Sequence, residues 1–177
     1  MPHSVSDLSP EEYGTFYRGY LDLVPRGYDL RQALTESGRD LANYLRTLPP
    51  ERADYRYAPG KWTVREALQH VCDTERIFSV RALRLGRHDP TPQPGFDQDV
   101  YAATVSVTDR ALSDLVEELD VLRRGTLALA AGLRAADLQF TGTVSGYPMS
   151  CRAMLFIAAG HTYHHLKVYR ERYTGPS

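Results

Sequence analysis

Met154-Leu155-Phe156-Ile157-Ala158-Ala159-Gly160-His161-Thr162-Tyr163-His164-His165-Leu166-Lys167-Val168-Tyr169 reads as an α-helix with one apolar face. On a wheel of about 100° per residue, Met154 lies about 20° from His161, His165 about 40°, Ala158 about 60° and Val168 about 20° on the other side. His161 and His165 therefore stand in the middle of the apolar face, and His164 falls on its flank. A buried imidazole must be hydrogen-bonded or metal-bound to offset its desolvation. Two stacked imidazoles would also repel if protonated, whereas a shared divalent cation removes both difficulties, because neutral imidazole is the usual ligand form.

The same 3.6-residue period recurs upstream. Ser9-Pro10-Glu11-Glu12 starts a short N-terminal helix that carries Tyr13, Phe16, Tyr17 and Tyr20, an aromatic stripe expected to pack against the main body and to end near Pro25. From about Asp29 to Leu48, leucines 30, 34, 41, 45 and 48 repeat until Pro49-Pro50 stops them. Thr63, with Glu66 as capping-box partner, opens a helix that runs down to Gly86. Arg87 to Gly95 holds three prolines and a glycine and reads as a loop long enough to cross the end of a bundle. Ser106 or Thr108 opens the next helix, with an apolar stripe from Leu112 to Leu133, and Thr141 to Pro148 breaks the chain again. The last helix starts near Ser150 and stops at Gly175-Pro176. Four long amphipathic helices without a convincing strand predict an all-α four-helix bundle, a single domain over residues 1–177.

With 21 basic and 22 acidic residues the formal net charge is −1, which argues against a nucleic-acid partner or an anionic membrane surface. No apolar run reaches transmembrane length, and Met1-Pro2-His3-Ser4 leads into polar sequence with no signal-peptide core. Cys72 and Cys151 lack a CxxC spacing and suit free thiols in a reducing compartment, so a cytoplasmic protein is expected.

His70, on the second long helix, is the expected third ligand beside His161 and His165. It is less well centred on its helix than they are on theirs. It is preferred to His3, in the N-terminal tail, and His88, in the proline-rich loop, because a rigid helix can hold a ligand in place. Three nitrogens leave coordination positions open, as catalysis needs. No HExxH is present, so the zincin arrangement with its adjacent glutamate base is not available. Asp73 and Glu75 are candidate second-layer acceptors or bases, although interhelical or surface carboxylates are commoner. The two cysteines read as small buried hydrophobes before soft ligands.

Ala58-Pro59-Gly60-Lys61-Trp62-Thr63-Val64-Arg65-Glu66-Ala67-Leu68-Gln69-His70, Thr74-Glu75-Arg76, Pro94-Gly95-Phe96-Asp97-Gln98-Asp99 and Ala159-Gly160-His161-Thr162-Tyr163-His164-His165 resemble the DinB-like (DinB/YfiT-type) metal-binding superfamily. The resemblance runs from about residue 17 to 173. It implies an up-down-down-up bundle, a homodimer, and a three-histidine site for nickel or zinc on His70, His161 and His165, which sets His165 ahead of His164. It also implies a low-molecular-weight thiol as cosubstrate, as in the thiol-dependent transferases and isomerases of that superfamily. The expected function is therefore a metal-dependent thiol S-transferase or related detoxification enzyme acting on a small molecule. A metal-dependent hydrolase on the same site, or a non-catalytic protein binding a metal or small ligand, are the alternatives.

Overall fold

The computed structural model describes residues 4–173. His3 and the Gly175-Pro176 stop lie outside them. The elements in chain order are α1 (Arg18–Leu21), α2 (Leu30–Arg46), α3 (Val64–Gly86), α4 (Gln98–Thr104), α5 (Leu112–Ala131), α6 (Ala135–Gln139), β1 (Thr141–Val144), β2 (Tyr147–Ser150) and α7 (Cys151–Arg172). The bundle is α2, α3, α5 and α7.

Side-chain contacts give the helix directions. Tyr44 Oη, near the end of α2, donates to the carbonyl of Tyr169, near the end of α7, so these two helices run parallel. Tyr169 Oη donates to the carbonyl of Val64 while Cys151 Sγ reaches that of Ala82, so α3 and α7 are antiparallel. Cys72 meets Leu115 and Glu75 meets Thr126, so α3 and α5 share a direction. The order is up-down-down-up. Two consecutive helices can point the same way only because residues 87–111 carry the chain back along the bundle.

Local sequence explains the helix starts. Thr63 Oγ1 accepts from the amide of Glu66 at 3.1 Å, and the Glu66 carboxylate accepts from the Thr63 amide at 2.7 Å. Asp29 and Gln32 cap α2 in the same way, and Ser150 Oγ caps α7 through the Ala153 amide. The expected opening of α5 at Ser106 or Thr108 is corrected to Leu112. The Arg65 guanidinium draws the carbonyls of Thr108 and Arg110 to itself, which holds that segment as a turn.

Two further elements differ from expectation. The segment from Thr141 to Ser150 is an antiparallel hairpin, which corrects the reading of a bundle without strands. Its turn, Ser145-Gly146, has φ of 53° and 84°, the backbone hand that a two-residue hairpin requires. Gln93 bonds to it on both sides, from its amide to Thr143 and from its carbonyl to the Ser145 amide, so the proline-rich loop lies along the hairpin. The N-terminal segment is a chain of 3₁₀ turns ending in the single turn α1 rather than one continuous helix. Gly14 is extended there and packs so tightly on Tyr147 that a Cβ would stand 2.8 Å from its ring.

The core is divided. One apolar cluster surrounds Leu34, Phe78, Leu85 and Phe156, and the other surrounds Leu41, Leu68, Leu119 and Leu166. Between them runs a polar layer. On one side of it Arg123 of α5 donates to the Leu34 carbonyl and Ser37 Oγ on α2, to Glu75 on α3 and to Thr162 Oγ1 on α7. Thr126 Oγ1 donates to the other Glu75 oxygen at 2.6 Å. One residue thus clasps the other three helices. Gly38 leaves room for its stem, since a Cβ there would meet Arg123 Cγ at 3.0 Å. The histidines occupy the other side of the layer.

Candidate metal centre

α3 contributes His70, and α7 contributes His161 and His165 one turn apart. His161 Nε2 lies 3.2 Å from His70 Nε2 and 3.2 Å from His165 Nε2, and the three ligand atoms all fall within 4.8 Å of one another. All three residues are buried.

Such a cluster cannot satisfy itself. Each imidazole nitrogen has either one proton or one lone pair, so His161 Nε2 can serve only one of its two neighbours. The other is left without a partner in a buried position. A cation accepting three lone pairs removes the deficit. Metal–nitrogen bonds of about 2.0–2.1 Å place tetrahedral ligands roughly 3.3 Å apart, close to the spacing here. The donor set therefore fits a divalent ion on chemistry and on dimensions.

Burial, followed by the nearby His164, lowers the pKa of His70 to about 4, and burial with mutual repulsion holds His161 and His165 well below the ordinary imidazole value. The rings are neutral at pH 7, as ligation requires. A depressed histidine pKa means that the unfolded chain takes up protons first as pH falls. The stability tied to these rings is full above about pH 6.5 and is lost as the pH drops toward 4. Metal-free protein is thus expected to lose about 1–2 kcal/mol between pH 7.5 and 5.5 through His70 alone, above the range where carboxylates titrate. Urea midpoints at the two pH values check this, and equal midpoints would contradict it.

The surroundings are aromatic. Trp62 lies 4.8 Å from the His70 ring, Tyr20 meets His161 edge-on at 5.4 Å, and Phe78 does so at 5.7 Å. Tyr20 is there because α1 crosses α7 at Gly160, where any Cβ would overlap the Tyr20 carbonyl. Tyr13, Tyr17 and Tyr20 of the aromatic stripe pack against the main body, as their spacing suggests, whereas Phe16 is 71% exposed. Tyr20 also roofs the histidines, which periodicity alone could not reveal.

Two clefts meet at the cluster. The larger, about 800 Å³, is walled by His70, His165, His164, Trp62, Lys61 and Arg172 among others. The smaller, about 360 Å³, is walled by His70, His161, Tyr20, Phe78, Thr74 and Arg81 among others. His70 lines both clefts, His165 the larger and His161 the smaller, so the cluster stands where the two meet.

The remaining candidates sit elsewhere. His164 is half-buried on the flank of α7, against Tyr20 and His165. His88 stacks on Phe140 and contacts Asp137. Asp73 accepts from Gln69 and lies 3.5 Å from Arg76, whereas Glu75 belongs to the Arg123 clasp. Neither carboxylate is hydrogen-bonded to the three rings among the described residues. Both thiols are buried, their pKa values raised by desolvation, that of Cys151 to about 12, which makes them inert core groups.

A model of the DinB superfamily matches residues 33–168, a span that includes all three histidines. The chain belongs to the DinB superfamily. This DinB-superfamily chain has the fold of YfiT from Bacillus subtilis, described as "a probable metal-dependent hydrolase with an unusual four-helix bundle topology". The two share 19% identity over 90% of this chain and 93% of that one, at a TM-score of 0.69. No curated protein matches in sequence. Among the described residues of this DinB-superfamily protein, no helix is long and apolar enough to cross a membrane.

Proposed function

We propose that His70, His161 and His165 hold a divalent nickel or zinc ion and that the protein is a metal-dependent transferase moving a low-molecular-weight thiol onto a small electrophile. The observation that carries this reading is the position of the cluster where two clefts meet, which suits two substrates approaching one centre. Held there, the ion would supply Lewis acidity, lowering the pKa of a thiol or water offered to it.

The chain's own residues do the rest. The 800 Å³ cleft has room for a thiol cosubstrate, with Lys61 and Arg172 on its wall to meet an anionic portion. His164, on the wall of that cleft, is the imidazole placed to take the thiol proton. Trp62 packs on the His70 ring, and Tyr20 and Phe78 pack edge-on against His161. On the same reading the protein is a cytoplasmic homodimer, a single DinB-like domain across residues 1–177.

Hydrolysis on the same centre is the second reading, favoured by the likeness to YfiT, a probable metal-dependent hydrolase. Absorption spectra of cobalt- or nickel-substituted protein separate the two. Addition of a small monothiol is expected to shift the charge-transfer bands through direct ligation. An unchanged spectrum at saturating thiol would remove the transferase reading and leave hydrolysis in front.

A further inference from the structure

Arg81 of α3 is 4% exposed, yet no carboxylate is ion-paired with it among the described residues. Its Nη2 donates to the carbonyl of Pro94 at 2.7 Å and to Ser145 Oγ at 3.3 Å. The guanidinium lies between two rings, 5.9 Å from the Phe78 centroid and 5.6 Å from that of Phe96. Burial lowers its pKa while Tyr17 opposes this, and a guanidinium so placed stays charged. Pro94 and Ser145 share Nη2 and the Tyr17 hydroxyl also bonds the side chain, so part of the five-donor fork is left for a ligand, and none of these partners carries a negative charge. A buried positive charge without a counter-charge is unfavourable unless something supplies one.

A second observation stands beside it. Thr74 is 2% exposed and its Oγ1 has no hydrogen-bond partner. Both residues line the 360 Å³ cleft with His70 and His161. The spacing 70, 74, 78, 81 sets His70, Thr74, Phe78 and Arg81 along one face of α3. The cleft thus has the histidines at one end, a lone guanidinium at the other, and an apolar ring and an unused hydroxyl between them.

We propose that this cleft takes a small organic carboxylate, with the carboxylate paired to Arg81, a short apolar body on Phe78 and Tyr20, and a polar atom bonded to Thr74 Oγ1. One planar guanidinium with one net charge matches a carboxylate better than a phosphate dianion. The pairing with Arg81 does not depend on which reaction the histidine centre performs.

The test compares 3-phenylpropionate with its neutral amide by isothermal titration calorimetry, on protein as isolated and after chelator treatment. A charge-assisted bond of about 1.5–3 kcal/mol predicts a preference for the carboxylate of roughly 10- to 150-fold in both states. Arg81→Met is expected to abolish that preference while leaving metal content unchanged, and Arg81→Lys to keep part of it. Equal affinity for acid and amide in wild type overturns the proposal without needing any variant. So does a preference that survives in Arg81→Met and vanishes on chelation, because the metal would then be the anion's partner. A preference that persists in protein free of metal and is lost in Arg81→Met upholds the carboxylate site even if the metal reading fails. Stoichiometric metal with no preference does the reverse.

Discussion

Arg123→Ala is expected to lower the unfolding free energy by about 3–5 kcal/mol, the range for removing one partner of a buried ion pair. The side chain donates to α2, α3 and α7 at once, and its loss strands the Glu75 carboxylate, whose remaining side-chain donor is Thr126. The comparison that isolates the cause is the double variant Arg123→Met, Glu75→Leu. Apolar groups of similar volume replace the whole pair, so the double variant should recover a large part of the loss. Urea unfolding of wild type, Arg123→Met, Glu75→Leu and the double variant completes the cycle. A single-variant loss under about 1 kcal/mol would mean that the clasp is poorly formed in solution. The clasp also donates to Thr162, next to His161, so its removal should loosen metal retention without abolishing it.

His161→Ala is expected to take metal content from near stoichiometric to none while leaving the helical signal intact. His161 Nε2 is the nitrogen within 3.2 Å of both partners, so its removal leaves two donors without their common neighbour. The fold should survive because the two apolar clusters on either side of the polar layer pack independently of the imidazole. A ligand at about 1,000 times its dissociation constant stabilises by about 4 kcal/mol. Wild type should therefore melt higher with added nickel or zinc, and the variant should ignore both. Elemental mass spectrometry, far-ultraviolet circular dichroism and thermal melts with and without metal check each part, with His70→Ala and His165→Ala as parallel cases. A variant that is unfolded at room temperature would make His161 a structural keystone, and one that keeps its metal would remove the proposed ligand set.

The four long helices and the inward pair His161 and His165 were legible because both follow from period 3.6, and the caps at Thr63 and Ser150 are local chemistry. His70 was legible only as the histidine on a rigid element. The helix order rested on resemblance, since nothing in a single helix records which way the next one points. The hairpin was missed because four-residue strands show too little alternation, even though Ser145-Gly146 marked the turn. α4 is a seven-residue helix in a segment with no apolar period. Arg81, Thr74 and Arg123 lay beyond reach for a different reason. A polar residue on a helix becomes informative only when its neighbours from other helices are known. Glu75 illustrates this: its sequence position suggested the histidines, and its partners are Arg123 and Thr126.

The histidine cluster is also closed late. Its roof, Tyr20, comes from near the start of the chain, and two of its three rings come from the last helix. A growing chain exposes Tyr20 and His70 long before His161 and His165 exist, so the three nitrogens come together only after α7 has been made and has packed beside α3.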